Sequence, residues 1–76
     1  MAQTLATLRV GDAAEVVRVD GRGAVSVRLL EMGFVPGSTV SIVKAAPFGD
    51  PLELCLRGYH VSLRKAEAAR VRVKRP

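Results

Sequence analysis

The clearest pattern in the sequence is a series of short stretches in which apolar and polar residues alternate. Leu52, Leu54 and Leu56 alternate with charged or small residues, and the same period of two begins again at Thr39, Val61 and Val71. An earlier strand is predicted over Ala13–Val19. Alternation over four to eight residues is typical of half-buried strands. The sequence therefore predicts about five short strands.

One segment departs from this period and predicts a helix over residues 24–32, with Gly33 as its left-handed cap. Pro36-Gly37 predicts a type II turn, and "AAPFGDP" at residues 45–51 predicts a loop. The stretch "RKAEAA" is compatible with one helical turn before the last strand. Short strands broken by glycine and proline favour a mainly β fold, a small closed or nearly closed antiparallel barrel with one short helix.

The predicted helix is apolar on two faces. At 100° per residue, two opposite stripes arise, which we name the first stripe (Val25, Leu29, Met32) and the second stripe (Val27, Leu30, Phe34). So small a barrel can cover only one of them. Because Phe34 is the larger core anchor and methionine suits adaptable surfaces, we expect the first stripe to face outward toward a partner. The alternative is a shorter helix, with Phe34 leaving it and folding inward.

The loop at residues 45–51 is the second candidate binding region. Two prolines stiffen it, so Pro47 and Phe48 could meet a partner at little cost in entropy. An equally weighted alternative is that Phe48 folds back and caps one end of the barrel. In the turn that follows the next strand, Gly58 is expected to have a positive φ or to allow a close approach of another group, and Arg57 is expected to be solvated.

Length and composition limit the class of protein. The 76 residues are 49% hydrophobic and 25% charged, which predicts a single globular domain over 1–76 rather than a disordered chain. The sequence has no signal peptide and no apolar run long enough for membrane insertion, so the cytoplasm is the expected location. The net charge is +5 and the chain ends "RVRVKRP". We favour a half-buried charged strand there over a nucleic-acid surface.

The residues that could support chemistry are few. His60 is the only histidine and Cys55 the only cysteine, so the chain offers at most two such ligands and no triad can be completed without His60. We interpret His60 as an exposed turn residue. The carboxylates show no close pair for acid–base catalysis: Glu15, Glu31, Asp50 and Glu53. The sequence thus predicts no enzyme, no metal site within the chain and no cofactor.

Five motifs in order, R-L-x-x-M-G, V-P-G, A-P-x-G-D-P, R-G and L-R-x-x-E-A, resemble the FeoA family of small proteins of bacterial ferrous iron uptake. The resemblance runs from Leu8 to Val73 and is loose over the first twenty residues. It implies an SH3-like barrel without enzymatic activity.

The resemblance also implies a partner, the cytosolic part of the FeoB permease, with recruitment to the inner face of the membrane. The candidate partner-binding residues are then Val25, Leu29, Met32, Pro47 and Phe48. Two alternatives stay open. One is a small basic RNA-binding barrel, disfavoured because no aromatic residue lies within a basic strand. The other is a self-associating module like the C-terminal domain of iron-dependent repressors.

Overall fold

A computed structural model describes residues 3–75 of the chain. Within that range the chain forms six strands and two α-helices. The strands are β1 (Gln3–Thr4), β2 (Ala13–Val19), β3 (Thr39–Ala45), β4 (Leu52–Leu56), β5 (Tyr59–Leu63) and β6 (Val71–Lys74). The helices are α1 (Ala24–Met32) and α2 (Lys65–Ala68), and a 3₁₀ helix spans Leu5–Thr7. The mainly β architecture predicted from the sequence is confirmed, with β1 and the 3₁₀ helix as additions.

The strands form one antiparallel sheet in the order β1-β6-β2-β3-β4-β5. The register shifts between Val16 and Arg18 in β2 and between Ile42 and Lys44 in β3. Such bulges bend a strand and increase its twist, which curls the sheet around one core as a small, nearly closed barrel. The sheet leaves two edge strands, β1 and β5.

The core is built from the inward faces of the strands and one face of α1. Leu52, Leu54 and Leu56 of β4 are buried, whereas the residues between them are only partly covered. Val71 and Val73 of β6 are buried in the same cluster, as expected for a half-buried strand. The period of two therefore located the core-facing positions of both strands correctly.

The predicted orientation of α1 is wrong. Leu29 of the first stripe is 0% exposed, and Val25 and Met32 are partly buried against the core. In the second stripe, by contrast, Val27 is 53% exposed and Leu30 is 44% exposed. The first stripe therefore faces the barrel and has no free surface at Leu29 to offer a partner.

The physical reason lies at the end of α1. Gly33 has a φ of 114° in the left-handed region and donates its N–H to the carbonyl oxygens of Leu29 and Leu30, which ends the helix at Met32. Phe34 then leaves the helical path and is fully buried. Since Phe34 reaches the core from outside the helix, it does not draw Val27 and Leu30 inward with it. The alternative of a shorter helix with Phe34 folded inward is confirmed.

The turns predicted from glycine and proline are confirmed. Gly37 has a φ of 91°, and the Ser38 N–H donates to the Val35 carbonyl oxygen at 3.0 Å across Pro36-Gly37. This is the hydrogen bond that closes a type II turn.

In residues 3–75 no helix is long and apolar enough to cross a membrane.

Candidate partner-binding site

The loop between β3 and β4 is the region where the structure presents an apolar side chain most openly. The Gly49 N–H donates to the Ala46 carbonyl oxygen at 2.7 Å, which closes a turn with Pro47 and Phe48 at its centre. Proline presets the backbone torsion at the first central position of such a turn. The Ala46 N–H also donates to the Pro51 carbonyl oxygen at 3.1 Å, which joins the two ends of the loop. We refer to residues 46–51 as the anchor loop.

Phe48 lies at the tip of the anchor loop and is 97% exposed. The alternative in which this ring folds back over the end of the barrel is therefore wrong. Pro47 is exposed beside it. An apolar ring in water is unfavourable, and at full exposure it gives the fold almost no burial energy in return. The exposure of Phe48 thus has no structural explanation within the described chain.

The anchor loop is fixed to the body of the protein at its far end. The backbone N–H of Lys65, at the start of α2, donates to Oδ1 of Asp50 at 2.9 Å. This hydrogen bond links the loop to the segment that follows β5. The position of Phe48 is therefore set by proline geometry, two closing hydrogen bonds and one tether.

A surface pocket of about 270 Å³ lies beneath the anchor loop. Its floor is a row of side chains across three strands, in which Lys44 of β3 pairs with Glu53 of β4, and Glu53 pairs with Ser62 of β5. Its wall is part of the anchor loop: Ala46, Pro47 and Pro51. The loop, the pocket and β5 therefore form one continuous surface.

The outer face of β4 and β5 brings together the residues considered as metal ligands. Cys55 and His60 occupy directly opposite positions, and Glu53 Oε2 lies 3.6 Å from His60 Nδ1. His60 is exposed as predicted, but it lies within β5, because the turn is confined to Arg57 and Gly58. Over residues 3–75 no group of three or more His, Cys, Asp or Glu side chains is arranged to hold a metal ion.

The turn between β4 and β5 fixes the geometry of this face. Arg57 has a φ of 51° and Gly58 a φ of 85°. Two successive residues with positive φ are the signature of a type I′ hairpin turn. Both predictions for this turn, a positive φ at Gly58 and a solvated Arg57, are confirmed.

Much of the positive charge elsewhere is neutralised by nearby carboxylates. Asp20 accepts hydrogen bonds from Arg72 and from Arg18, the latter at 2.8 Å. The hydrogen bond from Arg72, followed by that from Arg18, holds the pKa of the Asp20 carboxyl below its usual value. Arg28 of α1 pairs with Glu67 of α2, and Lys74 lies 3.8 Å from Glu15. The face formed by β2, β6 and α1 is thus a mixed-charge surface.

Helix α1, which exposes the apolar side chains of Val27 and Leu30, ends away from the anchor loop. A Cβ at Gly33, just after α1, would lie 3.4 Å from Leu56 at one end of β4. The anchor loop joins the opposite end of β4, at Leu52. The structure therefore does not bring the two candidate regions of the sequence into one site.

Tyr59 is a surface residue that sequence reasoning missed. It is 73% exposed at the start of β5, directly after the hairpin turn. The sequence feature that could have indicated its exposure is its position directly after the Arg57-Gly58 turn. In the structure it pairs with Leu56. It is exposed like Phe48, but its pairing with Leu56 places it at the end of β4 opposite the anchor loop.

Comparison with known proteins identifies relatives of this domain. A family model described as the FeoA domain matches residues 3–75. The Fe(2+) transport protein A/Fe(2+) transporter FeoB fusion protein of Porphyromonas gingivalis (strain ATCC BAA-308 / W83) is 47% identical over 70 residues. The match covers 92% of this chain but only 8% of the fusion protein.

Solved structures agree in fold. The crystal structure of Stenotrophomonas maltophilia FeoA complexed with zinc, described as a prokaryotic SH3 domain protein, superposes with a TM-score of 0.86 at 36% identity. It is matched over 96% of this chain and 91% of that one. A manganese-dependent transcriptional repressor superposes with a TM-score of 0.87 at 18% identity, over 99% of this chain and 42% of that one. At that identity the likeness concerns the fold alone.

Proposed function

Because the chain belongs to the FeoA family, we propose that it is an accessory component of ferrous iron uptake that binds the cytosolic part of a FeoB-type permease. It has no catalytic role in this proposal. Its contribution is to contact the permease at the inner face of the membrane. The contact is made by Pro47 and Phe48 of the anchor loop.

The choice of partner is supported by the fused relative. In the Porphyromonas gingivalis protein, a segment 47% identical to this chain shares one polypeptide with a transporter named FeoB. Linking two modules raises their effective concentration to about the millimolar range for short flexible linkers. Such a fusion benefits function when the two parts act at the same place.

The exposed Phe48 is the observation on which the choice of surface rests. Aromatic residues are frequent hot spots of protein–protein interfaces. The ring is 97% exposed on a loop whose ends are closed by hydrogen bonds and whose torsions are limited by two prolines. Little conformational freedom remains to be lost on binding, which favours affinity.

The helix residues first considered for the contact are reassigned in this proposal. Leu29 is buried, which supports assigning the first stripe to the fold and leaving it out of the permease contact. Val27 and Leu30 are exposed, and their helix ends beside Leu56, at the end of β4 opposite the anchor loop. We assign them no part in the contact, which makes them suitable controls.

Nucleic acid is the weaker alternative. Sequence-independent binding to nucleic acid depends on cations that are free to neutralise phosphates. Arg18 and Arg72 share Asp20, and Arg28 pairs with Glu67, so the alternating cations of β6 do not form an uninterrupted positive stripe.

The experiment that tests the proposal is capture of the full-length permease from detergent-solubilised membranes on the immobilised chain. We expect wild-type protein and Leu30→Ala to retain the permease, and Phe48→Ala to lose it. Thermal unfolding of all three proteins checks that each is folded. Retention by none of the folded proteins would refute the partner, and equal retention by all three would refute the role of Phe48.

A further inference from the structure

The two edges of the sheet differ in their protection against pairing with another strand. Strand β1 has two residues and β5 has five. Natural proteins protect edges by short strands, lysine, proline or bulges. The sequence of β5, Tyr-His-Val-Ser-Leu, contains neither lysine nor proline, and its five pairs with β4 run without a bulge. Strand β5 is therefore an unprotected edge.

The hairpin geometry identifies the backbone groups that are open on this edge. In a hairpin with a two-residue turn, the residues flanking the turn exchange hydrogen bonds, and the pairs then alternate. Tyr59, paired with Leu56, thus directs its N–H and C=O toward β4, as does Val61, paired with Leu54. His60 and Ser62 direct theirs away from the sheet. The free edge offers the N–H and C=O of both residues.

Cationic side chains lie at both ends of β5. Arg57 precedes the strand, and Arg64 and Lys65 follow it directly. All three are exposed, and none of them takes part in an ion pair within residues 3–75. Their charge therefore remains available to carboxylates on a ligand of about the same length as β5.

We propose that β5 binds an extended segment of the permease by strand addition, with carboxylates of that segment meeting Arg57 at one end and Arg64 and Lys65 at the other. Strand addition combines main-chain hydrogen bonds with pockets for alternate side chains. The pocket beneath the anchor loop is lined by Ser62 and lies beside this edge. This inference rests on the proposed function, because it takes the permease as the source of the segment.

The test is amide hydrogen exchange of the full chain, resolved residue by residue, alone and bound to the full-length permease in nanodiscs. In the free chain we expect fast exchange at His60 and Ser62 and slow exchange at Tyr59 and Val61. In the complex, exchange at His60 and Ser62 is expected to slow by about tenfold or more. This alternating pattern distinguishes strand addition from contact through side chains.

Matched variants test the backbone and the charges separately. Ser62→Pro removes an outward N–H while leaving the hydrogen bonds to β4, and edge positions tolerate proline. We expect it to weaken binding by about tenfold, with Ser62→Ala close to wild type. Neutralising Arg64 and Lys65 with Gln is expected to weaken binding and reduce its salt dependence. The same change at Arg22 and Arg75 is the control.

The outcomes separate this inference from the proposed function. A complex in which His60 and Ser62 still exchange fast would overturn strand addition while leaving the permease as partner. Absence of any complex would overturn both. If the amides of His60 and Ser62 are protected from exchange without permease, and this protection increases with protein concentration, the edge binds a second copy of the chain. That result would overturn the proposal that a permease segment binds there. Should Ser62→Pro fail to fold, the exchange pattern of the unmodified protein still decides.

Discussion

Helix α1 and the anchor loop both expose apolar side chains, but they do so for different physical reasons. In α1, Leu30 is exposed because its neighbour Leu29 is buried, and a nine-residue helix on one face of a barrel cannot bury both. In the anchor loop, Phe48 has no buried counterpart, and the loop itself directs the ring into solvent. Exposure on α1 thus follows from packing the helix on the barrel, whereas the exposure of Phe48 is the basis of the proposed contact with the permease.

The two regions also differ in how they are attached. The start of α1 is held by side chains, since Ser26 donates to the carbonyl oxygen of Asp20, just after β2, at 3.0 Å and Arg28 pairs with Glu67 of α2. The anchor loop is held by backbone hydrogen bonds and by Asp50 alone among its side chains. Its apolar side chains therefore remain free for binding. The comparison predicts that mutations in α1 change stability and that mutations in the loop change binding.

The largest effect is expected in the core stripe of α1. Leu29→Ala should lower the free energy of unfolding by about 2–5 kcal/mol, because it removes a fully buried side chain and leaves a cavity. Urea unfolding monitored by circular dichroism measures it. The matched variant Leu30→Ala should stay within about 1 kcal/mol of wild type. Equal losses in the two variants would show that the stripes are not distinguished by burial.

The next effect concerns binding through the anchor loop. If Phe48 is an apolar anchor, replacing it with Leu should weaken permease binding moderately, and replacing it with Ala should weaken binding by about 2 kcal/mol. Unfolding free energies should remain within about 0.5 kcal/mol of wild type for both variants. Affinity can be measured by biolayer interferometry with permease nanodiscs. A loss of stability as large as the loss of binding would instead place Phe48 in the fold.

A smaller effect is expected from the stiffness of the loop. Pro47→Ala keeps Phe48 but frees the torsion that proline presets, so the ring must be ordered on binding. We expect binding to weaken by about 0.5–1 kcal/mol. The measurement is again the dissociation constant, with Leu30→Ala as the control. An unchanged constant would show that the turn is held by its hydrogen bonds alone.

The smallest effect lies near the start of α1 and depends on pH. Because Arg72 and Arg18 lower the pKa of Asp20 in the folded protein, its ionised form is favoured by folding. Its stabilising contribution should be complete above the unfolded pKa of about 3.9 and disappear as pH falls through the lower folded value. Urea unfolding of wild type and Asp20→Asn from pH 2 to 7 measures it. A difference that grows toward low pH would contradict this assignment.

The sequence predicted the strands well because each has a clear period of two and is bounded by glycine or proline. It also located the Gly33 cap and the Pro36-Gly37 turn, but it left an exposed and a folded-back Phe48 equally weighted. It did not reveal β1, since Gln3 and Thr4 are too few to show a period and form a strand only by pairing with β6. The orientation of α1 was missed because helical periodicity gives two stripes but does not say where Phe34 enters the core. The edge role of β5 depends on strand order, which alternation alone does not determine.

The most direct test of the account is site-specific photocrosslinking in cells that produce the permease. The photoreactive residue p-benzoylphenylalanine is placed at position 48 in one protein and at position 30 in another. We predict a crosslink to the permease from position 48 and none from position 30. A crosslink from position 30 with none from 48, or a crosslink from 48 only to a second copy of the chain, would contradict permease binding through the anchor loop.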